Sequence, residues 1–214
     1  MAGRNADITL WGIGSSRALR AHWALIELGL DYETVPIRNR TPAMESPEYL
    51  AINPRKKIPT LRDGDLILTE SAAIVTYLAE TYSIAERRLI PEDPRDRAVY
   101  FEWMSFVSME LDATALYVLR RHEGLPEIYG EAPTANDAAR AYFDRMIGAA
   151  VVRLEDGRRF LLGDDFSGAD ILMTTCLDWA RRYRLDVPDP FLAYRERAAT
   201  RPSYAAAIEA NTPP

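Results

Sequence analysis

The chain has 214 residues, of which 48% are hydrophobic and 27% are charged, and its formal net charge is -6. This composition is that of an ordinary globular protein with one large domain or two small ones. The negative charge argues against nucleic acids and anionic membranes as partners, since both require a basic surface. No apolar run reaches the roughly 18 to 20 residues of a membrane-spanning helix. Residues 1–7 are polar, unlike a signal peptide, so we expect a cytoplasmic protein.

Cysteine and histidine are too scarce to build a metal site. The chain has one cysteine, Cys176, and two separated histidines, His22 and His122. A single cysteine cannot form an intrachain disulfide, and the three residues do not have the spacing of zinc ligands. We therefore expect no bound metal.

The first part of the chain alternates strand and helix. Residues 8–11 form a short apolar run, a glycine-containing loop follows at 12–16, and apolar residues then recur at spacings of three and four. This pattern predicts a strand, a loop and an amphipathic helix, with Gly29 at the C-cap. Residues 32–36 read as a second strand. Since a helix connects the two strands, they should be parallel.

A β-hairpin and a helix are predicted next, after an irregular stretch at 38–57 with one short helix near 47–51. Pro59 stands at the first position of the first hairpin strand, where proline is tolerated and its peptide bond can be cis. Asp63-Gly64 supplies the turn. The second strand ends at Glu70-Ser71, and Ser71 is expected to cap the helix that follows.

Strand patterns end after residue 83, and helical patterns replace them. Residues 84–93 are polar and read as a linker, which makes 94–214 an all-helical domain. The predicted helices run from Asp93-Pro94 to about Gly124, from about Thr134 to before Gly157, from Ser167 onward, and over 191–199 and 202–210.

Ser167 and Asp170 have the spacing of a capping box at the start of the third of these helices. Ser167 can cap the N–H three residues on, and the Asp170 carboxylate can reach back to the Ser167 N–H. Residues 171–179 are apolar on nearly all sides of a helix. The sequence therefore predicts a structural N-cap on a helix buried inside its domain.

Three motifs together resemble the soluble glutathione S-transferases across essentially the whole chain. They are Asn53-Pro54 followed by Lys57-Ile58-Pro59, the Glu70-Ser71 pair, and residues 166–170. The likeness is to serine-type enzymes, of bacterial source, with a partly zeta- or theta-like N-terminal motif. It implies an α/β thioredoxin-like domain at 1–83, a linker at 84–93 and an all-α domain at 94–214. It also implies a homodimer of twofold symmetry.

The resemblance implies a glutathione site in the first domain. Lys57, Ile58 and Pro59 would contact the tripeptide, with the Ile58 backbone, exposed by a cis Pro59, meeting its cysteinyl part. Glu70 and Ser71 would receive the γ-glutamyl group. An ordinary helix start with a solvated glutamate is the alternative reading of that pair.

Two serines are the candidates for activating the glutathione thiol. The loop after the first strand has no tyrosine or cysteine, the other activating residues of the family, and offers Ser15 and Ser16. One of them can be only a helix cap. Arg17 stands where the zeta class has the cysteine required for maleylacetoacetate isomerisation, so that activity is not expected.

The predicted reaction is addition of the glutathione thiolate to a small apolar electrophile. Ile13, Tyr100 and Met104 are candidates for lining the electrophile pocket, although residues at helical spacing can equally be core. Glutathione would be the co-substrate. The same site would support peroxide reduction, dehalogenation or ether cleavage, and the fold also occurs in ligand-binding or regulatory proteins without catalysis.

Overall fold

The computed structural model describes residues 7–213. The described residues up to Ile90 and those from Arg201 onward form one compact unit, and Pro91–Thr200 form a second. Within the described range, no helix combines the length and the apolarity required to cross a membrane.

A four-stranded sheet forms the centre of the first unit. Its strands are β1 (Ile8–Trp11), β2 (Glu33–Val35), β3 (Thr60–Asp63) and β4 (Leu66–Thr69). They are ordered β2-β1-β3-β4. The predicted parallel pairing of β1 with β2 is confirmed, and β3 is antiparallel to both β1 and β4.

Two helices between these strands and one after the last strand complete a thioredoxin-like arrangement. They are α1 (Ser16–Leu28), α2 (Pro47–Ile52) and α3 (Ser71–Tyr82), and a 3-10 turn at Pro42–Glu45 precedes α2. The predicted C-cap of α1 is confirmed, because Gly29 has the left-handed φ of 69°. Nine residues of α1 are buried, so this helix is the core element of the unit.

Three predicted positions in this unit are wrong by one residue: those of Pro59, of the hairpin turn and of the α3 cap. Pro59 precedes the first hairpin strand, which begins at Thr60. The hairpin turn consists of Gly64 and Asp65, because Asp63 still pairs with Leu66. Gly64 has a φ of 60°, which glycine adopts without strain. Ser71 is the first residue of α3 and Glu70 is its N-cap, with no side-chain cap. The Ser71 hydroxyl instead accepts a hydrogen bond from a buried arginine, described below.

The second unit, all of which is described, is built from helices. They are α4 (Pro94–Phe106), a π-helical segment (Val107–Leu116), α5 (Tyr117–His122), α6 (Pro126–Tyr129), α7 (Pro133–Val151) with a 3-10 turn at Val152–Leu154, α8 (Gly168–Arg182) and α9 (Asp189–Ala199). The long helix predicted up to Gly124 is therefore interrupted by a π segment that hydrophobic spacing does not reveal.

The predicted capping box at the start of α8 is present. Asp170 is fully buried, and its carboxylate accepts hydrogen bonds from the Ser167 N–H and hydroxyl, both at 2.8 Å. It also accepts from the Leu161 N–H at 2.9 Å and the Tyr194 hydroxyl at 2.7 Å. Burial raises the pKa of Asp170, and the four donors oppose that rise. Asp170 thus joins the helix start to a loop and to α9.

The last helix, α10 (Pro202–Asn211), belongs to the first unit. Trp23 of α1 donates its indole N–H to the Ser203 hydroxyl at 3.0 Å. Its ring also packs edge-on against that of Tyr204, with 4.9 Å between the ring centroids. The predicted helix at 202–210 is confirmed. In the structure, the residues after Thr200 group with the first compact unit, whereas the sequence pattern placed all of 94–214 in one helical domain. The sequence of α10 predicts that it is a helix but does not indicate which part of the protein it packs against.

Replacing Asp170 tests whether the buried cap stabilises the second unit beyond an ordinary helix cap. Asp170→Ala leaves the Leu161 and Ser167 N–H groups and the Tyr194 hydroxyl without their acceptor. We expect a loss of about 3 kcal/mol or more, at about 1–3 kcal/mol per unpaired buried group. Thermal unfolding measures it.

The matched control is Asp93→Ala, which removes the exposed cap of α4. The Asp93 carboxylate accepts from the N–H groups of Arg95 and Asp96 at 2.8 and 3.2 Å. Loss of such a cap costs about 0.5–2 kcal/mol. Equal midpoints for the two variants would show that the extra partners of Asp170 contribute nothing.

Candidate glutathione site

The loop between β1 and α1 presents Ser15 at the start of a helix. Ser15 is the N-cap of α1, and its hydroxyl oxygen accepts the Ala18 N–H at 3.0 Å. A hydroxyl that accepts one hydrogen bond still has its own proton to donate. Ser16 is the first helical residue, so of the two candidate serines it is Ser15 that caps the helix. One side chain can therefore cap the helix and donate to a ligand.

The same loop lies tightly against the segment before Pro59. The Ile58–Pro59 peptide bond is cis, as expected. Gly12 has a φ of 129°, and a Cβ at this position would lie 2.8 Å from the Ile58 Cβ, closer than side chains pack. Only glycine fits here. The backbone therefore brings the Ser15 loop next to Ile58, as a joint binding site for one small ligand requires.

A buried histidine forms a hydrogen bond to the backbone of the loop between β1 and α1. His22 is fully buried, and its Nε2 lies 3.0 Å from the Gly12 carbonyl oxygen while its Nδ1 lies 2.8 Å from the Tyr32 hydroxyl. A carbonyl can only accept, so Nε2 carries the proton and Nδ1 accepts from Tyr32. Burial lowers the pKa of His22, and its hydrogen bond to Gly12 partly offsets this. The neutral imidazole is thus built into the loop.

The segment before Pro59 is supported by two polar side chains of the first unit. The buried Asn53 donates its amide to the Lys57 carbonyl and to the Thr60 hydroxyl, each at 2.9 Å. Tyr49 also donates to the Lys57 carbonyl and lies 3.0 Å from the Thr60 hydroxyl oxygen. The Lys57 side chain is exposed and Ile58 is buried. Asn53 therefore fixes the backbone on which the predicted contacts depend.

Glu70 and Ser71 lie together at the start of α3, in different surroundings. Glu70 has a φ of 69°, unusual for a residue with a side chain, and strained residues of this kind cluster at binding sites. Its exposed carboxylate pairs with Arg55 at 3.1 Å. Ser71 is buried, and its hydroxyl accepts from Nη1 of the buried Arg20 at 3.2 Å. An exposed carboxylate and a hydroxyl beside a cation suit a ligand with an ammonium and a carboxylate.

The residues predicted to line the electrophile pocket are all buried. Ile13 is 3% exposed in the first unit, and its N–H donates to the Ile37 carbonyl at 2.9 Å. Tyr100 has no exposed surface and Met104 is 5% exposed in the second unit. Their surroundings are those of core residues, and their role in a pocket stays a prediction. Among the described residues, no cluster of His, Cys, Asp and Glu could hold a metal ion.

Comparison with known proteins agrees with this geometry. The model of "Glutathione S-transferase, N-terminal domain" matches residues 6–80, and that of "Glutathione S-transferase, C-terminal domain" matches residues 133–205. A glutathione S-transferase of Hyoscyamus muticus is 30% identical over 161 residues, which cover 73% of this chain and 74% of that protein. This chain belongs to the glutathione S-transferase family. The glutathione S-transferase GstA of Escherichia coli O157:H7 is 29% identical over 198 residues, 90% of this chain and 93% of that protein.

Solved structures of glutathione S-transferases share the fold. A theta class enzyme from Xanthomonas axonopodis pv. citri, with glutathione bound, has a TM-score of 0.80 and 27% identity, and the alignment covers 95% of this chain and 97% of that one. The enzyme from Xylella fastidiosa has a TM-score of 0.81 and 27% identity over 95% and 98% of the two chains. The match extends over both units.

The sequence of this glutathione S-transferase did not reveal the supporting roles of Arg20, Tyr49 and His22, and it revealed only part of the role of Asn53. Arg20 lies within the amphipathic pattern of α1, and its partner Ser71 is 51 positions away. No local signal announces such a contact. Asn53 was recognised only as part of a motif, and its donation to Lys57 and Thr60 gives that motif a physical reason.

The buried histidine makes the stability of this glutathione S-transferase depend on pH. His22 has a pKa below its ordinary 6.5 in the folded state, so the unfolded chain binds more protons between the two values. The contribution of His22 to the stability is fully present above about pH 6.5 and is lost as the pH falls from there through the folded-state pKa. His22→Gln should be less stable than wild type at about pH 7.5 and should lose less stability on acidification.

Melting temperatures measured from about pH 7.5 to 5.5 test this expectation. The control is His122→Gln, which removes the other histidine, and the acid dependence should survive in that variant. Parallel curves for wild type and His22→Gln would refute the assignment to His22.

Proposed function

We propose that this glutathione S-transferase binds glutathione in its first unit, that Ser15 stabilises the thiolate, and that the thiolate adds to a small apolar electrophile. The observation that carries the proposal is the hydrogen bond from Ala18 N–H to the Ser15 hydroxyl oxygen. It orients the hydroxyl and leaves its proton for an acceptor. The bound glutathione of the theta class structure supports the choice of ligand.

The energies available at Ser15 are sufficient for this role. A thiol has a pKa of about 8.5, and only the thiolate is a good nucleophile. Lowering that pKa by about two requires roughly 2.7 kcal/mol in favour of the anion. A hydroxyl donating to a charged acceptor contributes about 1.5–3 kcal/mol, and a helix N-terminus about 0.3–1. One serine at the start of α1 can therefore supply the shift.

Glu70 and Ser71 bind the γ-glutamyl group in this proposal. The Ser71 oxygen accepts from Arg20, so its hydroxyl proton is available to the ligand carboxylate. The positive charge of Arg20 and the N-terminus of α3 favour the same negative group. The exposed carboxylate of Glu70 receives the ammonium. Lys57, Ile58 and Pro59 contact the remainder of the tripeptide, and the Ile58 backbone faces the cysteinyl part.

The identity of the electrophile and the cellular setting form the finer part of the proposal. Family membership supports a twofold homodimer, a cytoplasmic location and a role in detoxification. Glutathione-dependent peroxide reduction, dehalogenation and ether cleavage use the same thiolate, and a panel of substrates separates them. A protein that only carries ligands would bind glutathione without ionising its thiol, which thiolate absorbance detects. Light scattering tests the dimer.

Ser15→Ala should raise the pKa of bound glutathione by about one to two, which corresponds to a loss of roughly 1.5–3 kcal/mol. Ultraviolet absorbance of the thiolate, followed against pH at saturating glutathione, measures the pKa. The affinity for glutathione should change less, because Glu70, Ser71 and the Ile58 backbone still hold it.

The same substitution also removes a helix cap, so a matched control is required. Ser46 caps α2 and its hydroxyl oxygen accepts the Tyr49 N–H at 3.2 Å. Ser46→Ala should lower stability by a similar amount, about 0.5–2 kcal/mol, and leave the thiol pKa unchanged. Ser16→Ala should also leave the thiol pKa nearly unchanged. A pKa that responds to Ser16→Ala and not to Ser15→Ala would transfer the role to Ser16.

Ser71→Ala should raise the dissociation constant of glutathione roughly tenfold, through loss of a hydrogen bond to a charged group. The thiol pKa should stay near the wild-type value. Calorimetric titration measures the affinity, and the loss should disappear with cysteinylglycine, which lacks the γ-glutamyl group.

The control for this substitution is Ser83→Ala, at the other end of α3. The Ser83 hydroxyl accepts the Leu89 N–H at 3.1 Å, so both variants remove a serine hydroxyl with a partner. Equal affinities for Ser71→Ala and Ser83→Ala would remove Ser71 from the site.

A further inference from the structure

The end of α10 lies against the loop that carries Ser15. The Gly14 N–H donates to the Asn211 carbonyl at 2.8 Å, and the Asn211 side-chain amide donates to the Ser15 carbonyl at 3.3 Å. A Cβ at Gly14, whose φ is 72°, would lie 3.1 Å from the Pro213 Cγ. The backbone of the loop is therefore held by hydrogen bonds on two consecutive residues.

The other end of α10 is fixed to α1, so Asn211 is presented by an anchored helix. Arg201 donates to the Glu27 carboxylate at 3.1 Å, and the Ser203 hydroxyl donates to the same group. Trp23 adds its hydrogen bond to Ser203. A helix of ten residues is about 15 Å long, which is the distance over which α10 connects this anchor to the Ser15 loop.

We propose that Asn211 is a positioning residue, which sets the direction of the Ser15 hydroxyl by holding the Ser15 backbone. The inference rests on the proposed role of Ser15. The Ser15 carbonyl accepts from both Asn211 and the Leu19 N–H, the latter at 2.9 Å in the first turn of α1. These two donors fix the peptide from which the side chain projects. Hydrogen bonds weaken steeply with misalignment, so a small backbone rotation would weaken donation to a thiolate.

The second observation concerns the other atom of the same amide. The Asn211 Oδ1 is buried and has no hydrogen-bond partner within the described residues. An unpaired buried acceptor is destabilising, and an apolar side chain of similar size avoids that penalty. Stability alone therefore does not favour asparagine here. The contact of its Nδ2 with Ser15 gives the residue a role in the site.

Asn211→Leu tests this inference in the full-length protein, because leucine keeps the volume and removes the amide. The melting temperature should stay at the wild-type value or rise. The pKa of bound glutathione should increase by about half of the increase caused by Ser15→Ala, because the donor is displaced and not removed. The KM for glutathione should change little while kcat at neutral pH falls.

Glu209→Leu is the matched control, on the same helix at an exposed position. It should leave the thiol pKa unchanged. Equal pKa values for Asn211→Leu, Glu209→Leu and wild type would overturn the positioning role.

The double variant Ser15→Ala/Asn211→Leu separates this inference from the proposed function. If Asn211 acts through Ser15, the double variant should have the thiol pKa of Ser15→Ala alone. A further increase equal to that of Asn211→Leu in wild type would show that Asn211 acts elsewhere. An effect of Ser15→Ala with none of Asn211→Leu refutes only the positioning role, and no effect of Ser15→Ala refutes both.

Discussion

The first unit depends on one constraint, which is that α1 is buried and its polar side chains still require hydrogen-bond partners. A buried polar group without a partner is strongly destabilising. Arg20 and His22 have almost no exposed surface, and their hydrogen-bond partners include Ser71 and the Gly12 carbonyl. Both partners belong to segments of the candidate site. The same hydrogen bonds therefore satisfy the buried polar groups of α1 and hold the segments of the candidate site in place.

The backbone of the candidate site is held mainly by side chains other than those proposed to bind glutathione. The backbone before Pro59 is held by Asn53 and Tyr49, and the loop after β1 by His22. None of these three side chains has a role in the proposed thiol chemistry. The groups proposed to meet glutathione, Ser15 and Ser71, retain hydroxyl protons because each accepts a hydrogen bond from a neighbour. Most of the support is thus carried by residues other than these two serines, although Ser15 also caps α1.

The features that could be predicted from sequence are those whose signal is local. Gly29 at the end of α1 and the Ser167–Asp170 box depend on residues within one helical turn. The hairpin was predicted one residue out of place, because both Asp63-Gly64 and Gly64-Asp65 satisfy the turn preference. The contacts of Arg20 and Asn211 join residues 51 and 196 positions apart. Periodicity within a segment contains no information about such distant partners. The contacts that support the site are therefore visible only in the three-dimensional structure.

The return of α10 to the first unit has a consequence for the synthesis of the chain. The hydrogen bonds of Trp23 and Ser15 to this helix span 180 and 196 positions. Domains generally fold as units while the ribosome adds about 5–20 residues per second, and distant contacts form slowly. The first unit, although it begins the chain, cannot be completed until residues beyond 200 have left the ribosome. Until then, the surface of α1 around Trp23 lacks the helix that covers it.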